Sequence, residues 1–490
     1  MPTGSGFSTP TTRWFTEPEA VFQSRNDRGE LPLHVINLLV ACLSGLTVLV
    51  SGPRVTAQPF QLLRYEENYA PDTLATGYHR LKFIPLSRDR KVYASLGGEA
   101  RLNYAVFNHE DWDKASIGIN RFLLQRYVLH ADLHLGHRFR LFAQLRSALE
   151  QGRKNGPRPI DEDQLAVQNL FADLTLFGAD QSHLTLRLGR QELNYGSGRL
   201  ISVRELPNVR LYFTGPRLIY QRRKTSADGF LMMADTVKPG VFDNRASRQA
   251  NLWGLYARSV VGKNRCWEYY YLGFRQHAMT YETGIAREVR HTLGTRLAKT
   301  GIGLVYNLEA AYQFGRFGNS PIRAWTVSVD LGYQFRSAKR RPLLGIRHDY
   351  ISGDRNRDDG RLETFNPLYP KGGYFGFDPQ IGPANLIDLH PYGTLQLSRG
   401  LQVQGDAVFN WRFSLQDGIY QPSGAFNQPG SGSRERYIGT AYLGKLNYEF
   451  NPFLSADFGL QWFQPGPFIR SLIPAATNAL FTNSRVVFRF

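Results

Sequence analysis

Cysteine occurs only twice in 490 residues, which excludes a disulfide-stapled scaffold. Long apolar runs are nearly absent. One stretch, about Val35 to Val50, approaches the ~18 residues that a membrane-crossing helix needs. A bundle of transmembrane helices is thereby excluded. Methionine is down to 4, and lysine supplies only 11 of the 59 basic residues, leaving 48 arginines. Against these shortages stand 32 Phe, 25 Tyr and 47 Gly. A soluble α/β chain carries more helix formers and fewer aromatics, and the aromatic content excludes disorder.

The formal charge is +18, with 41 acids. Arginine offers a planar fork that matches carboxylates and phosphates, where lysine offers a point charge. Such a chain implies an anionic partner, and 41 acids also require partners of their own.

Residues 31–57 read as a secretion signal. The apolar run ends at Gly52-Pro53, and Val55-Thr56-Ala57 forms a cleavage-like triplet before Gln58. A membrane anchor is the alternative, but Asn37 and Ser44 interrupt the run. A lipobox at Leu39-Val40-Ala41-Cys42 would put its Cys in mid-run. The expected organisation is a leader and signal peptide over 1–57, a periplasmic segment over 58–90, and one domain over 91–490.

That domain repeats strand, tight turn, strand, polar loop. From Leu123 to Leu135 one parity carries Leu123, Leu129, Ala131 and Leu133, and the other carries Arg126, Val128, His130 and Asp132. Period-2 alternation of this kind marks a strand with one apolar and one polar face. About 18 such segments run from 91–107 to 478–490, among them 120–135, 216–224, 250–260, 265–276 and 289–299. Most are near the 9–11 residues that cross a bilayer at a tilt. Short connections such as Gly136-His137 and Asn451-Pro452 alternate with long ones such as 194–215, 235–249, 352–383 and 414–435. The prediction is an all-β, antiparallel transmembrane β-barrel of about 18 strands with short periplasmic turns and long extracellular loops, in the outer membrane of a Gram-negative cell. The last strand, with apolar residues at alternate positions ending at Phe488 and Phe490, resembles the C-terminal strand read by barrel-assembly machinery.

Three segments carry a family resemblance. Leu188-Gly189-Arg190-Gln191-Glu192-Leu193 with Tyr195-Gly196-Ser197-Gly198-Arg199-Leu200 is similar to the GRQ-x-L…SG segment of the alginate-export family of outer-membrane barrels. So are Ser352-Gly353-Asp354-Arg355 with Phe365-Asn366-Pro367-Leu368-Tyr369-Pro370, and the segment Ile381 to Pro391. The resemblance implies an 18-stranded monomeric barrel whose Arg-lined pore passes an anionic polyuronate, with periplasmic polysaccharide-export proteins as partners.

If the apolar parity faces lipid, the polar parity lines the pore. The lining residues expected are Arg126, Arg138, Arg146, Arg187, Arg190, Arg347, Asp388, His390 and Arg412, with Arg199, Arg204 and Arg210 on a loop long enough to enter the lumen. Arg190 falls on the lipid parity, so it belongs beyond the membrane band or past a bulge. Fixed cationic rings select anions. The function expected is a pore for an anionic polysaccharide or acidic saccharide, without a cofactor or catalytic metal, and with no role for nucleic acid. The alternative is a barrel enzyme acting on lipid or polymer, but no G-x-S-x-G, H-E-x-x-H or C-x-x-C motif is present. His130 and His134 share a strand face, which a polar lumen explains. Asp354 to Gly360 spaces oxygen ligands like a calcium loop, but its Gly is displaced and two arginines intervene.

Overall fold

The structure, a computed structural model, describes residues 60–69, 78–179, 181–336 and 340–490. The leader expected over 1–57 lies outside them.

Eighteen antiparallel strands close on themselves. They are β1 (Val92–Asn108), β2 (Asn120–Leu135), β3 (Phe139–Gln151), β4 (Asp163–Ala179), β5 (Ser182–Gln191) and β6 (Phe213–Arg222). Next come β7 (Thr225–Thr236), β8 (Arg245–Gly262), β9 (Arg265–Tyr281), β10 (Gly284–Lys299), β11 (Gly303–Phe317) and β12 (Ser320–Gln334). The wall is completed by β13 (Leu343–Ile351), β14 (Leu386–Gln396), β15 (Leu401–Arg412), β16 (Tyr437–Glu449), β17 (Leu454–Pro465) and β18 (Ala479–Arg489). Each strand pairs with the next, and β18 returns to β1, from Glu99 opposite Arg489 to Asn108 opposite Leu480. Closure removes the unpaired edges that a bilayer cannot satisfy. Phe490 extends the seam by one step, exchanging backbone bonds of 2.9 and 3.1 Å with Gly98.

The parity reading holds along the wall. Leu129, Leu231, Leu255 and Ile285 point outward, 60–71% exposed, while Arg126, His130 and Asp132 on β2 point inward and are buried. Lipid replaces water as the solvent of the outer face, so apolar side chains are stable there.

The alternation of connections is less regular than the sequence suggests. Two extracellular connections are tight hairpins, Glu282-Thr283 between β9 and β10 and Gly318-Asn319 between β11 and β12. A bulge between Gln276 and Met279 carries β9 past the point where its alternation fades.

Two loops do not stay outside. Loop 192–212 leaves β5 and loop 352–385 leaves β13, and they pair inside the barrel through a parallel bridge between Ile201 and Tyr369. Leu193, Leu200 and Ile201 from the first loop and Phe365, Leu368 and Phe375 from the second join one apolar cluster with inward Phe213, Leu252, Leu272 and Phe274. Burial of each such side chain is worth roughly 1.5–3 kcal/mol, which keeps both loops in the lumen.

The segment Phe60–Tyr69, assigned above to the periplasm, also enters the barrel. Tyr65 sits edge-on to Phe142 and Phe171, at 5.9 and 5.2 Å. Its hydroxyl donates to the Glu192 carbonyl at 2.6 Å, and Arg210 donates to the Leu62 carbonyl at 2.8 Å.

Candidate pore constriction

The GRQ motif marks the point where β5 ends and loop 192–212 turns inward. Gly189 has φ +134°, and a Cβ there would lie 2.2 Å from the Leu170 carbonyl oxygen, so only glycine fits. Glu192 then accepts from Gln168 at 2.9 Å and from Asn169 at 3.2 Å. Beyond it the loop runs across the lumen. Tyr195 bonds Asp228 on β7 at 2.9 Å, Ser197 bonds Glu309 on β11 at 3.0 Å, and Arg199 reaches Asp349 on β13 at 2.9 Å. On the return, Asn208 donates to the Gln125 carbonyl at 2.8 Å and to the Leu149 carbonyl at 3.2 Å.

Loop 352–385 braces it. Lys371 N–H donates to the Gly198 carbonyl at 2.7 Å and Tyr369 N–H to the Leu200 carbonyl at 2.8 Å. Tyr374 accepts from Arg199 at 2.5 Å and lies under its guanidinium, 4.3 Å from the ring centroid. Asn385, in the third motif, donates to the carbonyls of Ser414, Asp417 and Gly418 at 2.8–3.0 Å. It thereby ties loop 413–436 to loop 352–385.

Most inward arginines are neutralised by acids. Arg126 is fully buried between Glu99, at 2.7 Å, and Glu205. Arg146 pairs with Asp163. Arg187 forks onto Asp173 at 2.7 and 2.8 Å and stacks on Phe171 and Tyr65. Arg210 meets Glu192 at 2.9 Å and Glu205 at 3.3 Å. Arg347 meets Asp330 at 3.2 Å, and His390 contacts Asp406 at 2.9 Å. Asp388 is buried beside Asp349, whose backbone N–H it accepts at 2.9 Å. Burial opposes the charge on Glu205, but the guanidinia of Arg126 and Arg210 offset it and hold the carboxyl at about 2.

Three residues of the expected lining stand elsewhere. Arg138 is exposed in the turn after β2, because that strand stops at Leu135 and the turn takes three residues. Arg190 lies near the extracellular rim, mostly buried, over the Tyr212 ring at 5.1 Å and paired with Asp235 at 2.7 Å. Arg412 is buried but is spent on loop carbonyls, those of Glu435 at 3.0 Å and Ser433 at 2.8 Å among them.

Other inward groups were not singled out from sequence. Arg101, Arg217 and Arg290 sit on the inward parity of β1, β6 and β10, so the alternation could have found them. Lys445 on β16 could have been found in the same way. Lys371 lies on a loop with no periodic signal.

The inward loops separate two vestibules. A cavity of about 730 Å³ opens among the periplasmic ends of β6 to β10, lined by Glu66, Arg217, Gln221, Arg258 and Arg296. A second, of about 540 Å³, lies among the extracellular loops, lined by Glu110, Arg158, Arg204, Asp378 and Asn427. A smaller space of about 20 Å³ lies at Ser197, Arg199, Glu309, Lys371 and Tyr374. Among the described residues, Arg204, Lys371 and Lys445 take part in no ion pair. Burial lowers the Arg204 guanidinium to about 10. Burial and the nearby Arg347 also lower the Lys371 ammonium.

The fold is similar to that of solved outer-membrane proteins. OpdK of Pseudomonas aeruginosa aligns with a TM-score of 0.54 at 12% identity, covering 81% of this chain and 98% of that one. OccAB4 of Acinetobacter baumannii aligns at 0.55 and 12%, with the same coverage, and OpdQ of Pseudomonas aeruginosa at 0.52 and 14%. At these identities the likeness concerns the fold alone. No curated protein sequence matches the chain. The family model for alginate export matches residues 92–483, a span that contains the whole wall up to the middle of β18, both inward loops and all three motifs. The protein is an outer-membrane pore, and the chain belongs to the alginate-export family of outer-membrane β-barrels.

Proposed function

We propose that this pore passes an anionic saccharide, a polyuronate or a shorter acidic sugar, and that a cationic surplus along its lumen provides the selectivity. The observation that carries the reading is the contrast between two kinds of cation. Arg126, Arg146, Arg187, Arg199, Arg210 and Arg347 are matched by carboxylates and form a rigid, nearly neutral frame. Among the described residues, Arg204, Lys371 and Lys445 form no ion pair with a carboxylate, so a mobile anion can serve as their counterion. The family's description as alginate exporters supports a uronate polymer moving outward. The family's description names export, which supports a transport role over the barrel-enzyme alternative.

The test is reversal-potential measurement in planar bilayers under a salt gradient. The wild-type pore is expected to favour chloride over potassium, and polyuronate added on one side is expected to block the current. The combined variant Arg204→Gln, Lys371→Gln, Lys445→Gln should lose most of the preference and weaken the block. A cation-selective wild type, or a triple variant with unchanged selectivity, refutes the proposal.

A further inference from the structure

The pairing of inward arginines leaves the net charge unexplained, and the outer wall accounts for part of it. Strand register places residues of β7 to β12 in level rows on the lipid-facing side. One row runs Leu231, Trp253, Gly273, His291, Phe314, Arg323. The row below it includes Tyr271, Tyr312 and Trp325. Together they form an aromatic girdle on the extracellular side, with Trp253 edge-on to His291 and His291 stacked on Phe314. Such girdles sit at the headgroup level of a bilayer.

The next row toward the outside runs Met233, Asn251, Arg275, Val289, Arg316, Pro321. Thus Arg275, Arg316 and Arg323 stand at or just above the girdle, and Arg287 stands one step further out. Among the described residues none of the four has an ion-pair partner. The carboxylates of this rim are engaged elsewhere: Asp235 with Arg190, Glu282 with Arg357 and Glu288 with Arg290. Arg275 is the most constrained, since its Nε is buried without a hydrogen-bond partner. It borders an outer groove of about 340 Å³ lined by Pro216, Leu231, Met233 and Trp253. The groove exists partly because Gly215 brings no side chain to it.

We infer that this outer-wall patch is a binding site for a phosphorylated saccharolipid of the outer leaflet, the lipopolysaccharide class. Arg275, Arg316 and Arg323 hold its phosphates, and the groove beside Trp253 receives an acyl chain. Three arguments fix the occupant. The site faces the membrane and not the lumen, the aromatic rows set it at headgroup depth, and the cations lack protein counterions. Guanidinium and phosphate match in shape, each fork donating two hydrogen bonds. Each basic residue at a membrane surface contributes to lipid binding independently of what crosses the pore.

The experiment uses the full-length protein extracted in mild detergent. Bound lipid is counted by native mass spectrometry, and rebinding is titrated with bisphosphorylated lipid A and with its dephosphorylated form. The wild type should retain one saccharolipid and prefer the phosphorylated form. The variant Arg275→Gln, Arg316→Gln, Arg323→Gln should bind about tenfold or more weakly. The charge-preserving Arg-to-Lys triple should bind between the two. Arg222→Gln, Arg223→Gln, on a periplasmic turn, should match wild type. Folding is checked by heat-modifiable migration, and if the triple variant does not fold, the exposed single variants Arg316→Gln and Arg323→Gln decide. Equal binding of the dephosphorylated lipid, unchanged binding in the variants, or full displacement by millimolar inorganic phosphate overturns the inference.

Discussion

Arg199 is the residue whose loss should be felt most at the constriction. It joins three elements: its own loop, β13 through Asp349 at 2.9 Å, and loop 352–385 through Tyr374 at 2.5 Å. Its side chain is 10% exposed, that of Asp349 0% and that of Glu309 6%. Arg199→Met keeps the stem volume and removes the charge. Asp349 then keeps Ser328 as a donor but loses its cation while still buried. Breaking a buried pair in this way costs roughly 3–5 kcal/mol. The wall rests on backbone ladders that the substitution does not touch, so the cost falls on loop docking. A shift of about 3 kcal/mol raises the undocked population by about a hundredfold. Single-channel recordings should therefore show more frequent excursions to higher conductance. Trypsin should cut the variant faster at Arg204 or Arg210. Adding Asp349→Asn removes the stranded charge and should recover part of the loss. Unchanged dwell times and proteolysis in Arg199→Met refute the reasoning, as does a double variant no better than the single.

Three further outcomes are expected. Tyr65→Ala removes the anchor that holds Phe60–Tyr69 against Phe142, Phe171 and Arg187. It should raise single-channel conductance; an unchanged value would mean the segment does not obstruct the periplasmic mouth. Burial raises the Asp354 carboxyl to about 7. The neutral form is therefore favoured in the docked loop, and docking should weaken as pH rises from the ordinary carboxylate range through about 7. Limited proteolysis of loop 352–385 at pH 5 and 8 reads this, and Asp354→Asn should flatten the difference. Phe490→Ser removes the stacked pair with Phe488 at the closing seam. It should lower the yield of heat-modifiable barrel while leaving the stability of the assembled fraction nearly unchanged.

Most of the wall was legible because lipid on one side and a polar interior on the other force a two-residue period. Each of the 18 strands lies where the alternation points. The ends drift where the outer solvent changes. Arg245 to Gln249 and His277 to Tyr281 extend β8 and β9 beyond the expected 250–260 and 265–276. There the outer face is mixed, because it meets headgroups or water. The inward loops were partly legible. The length of 194–215 suggested an inward fold, but nothing local predicted its partner, loop 352–385. A better signal was available on β8 and β9. Leu252, Tyr256, Tyr270 and Leu272 point inward and Leu255, Tyr269 and Tyr271 outward, so these strands are apolar on both faces. A strand of that kind cannot border an aqueous lumen unless protein covers it, and the loops supply the cover. Parity also could not tell an arginine that meets solute from one that holds a loop, as Arg412 does. That distinction depends on which carboxylates lie across the barrel, and these come from distant strands.

Net charge shows the same limit. A surplus of 18 positive charges suggests a cationic lumen, yet the arginines that face inward are those most completely paired. Desolvation explains the difference. In a lumen filled by loops, an unpaired guanidinium would cost several kcal/mol, so an inward arginine needs a carboxylate beside it or, as at Arg412, a cage of carbonyls. At the membrane–water interface that cost is small, because the side chain reaches headgroups and water. Uncompensated arginine therefore collects on the outer wall at Arg275, Arg287, Arg316 and Arg323, and in periplasmic turns at Arg138, Arg222 and Arg223. Among the described residues, Lys82 and Arg412 meet the rule with backbone carbonyls, and Arg204, Lys371 and Lys445 have no ion-pair partner. On the function proposed above, selectivity arises at these few unpaired positions and not from the total charge.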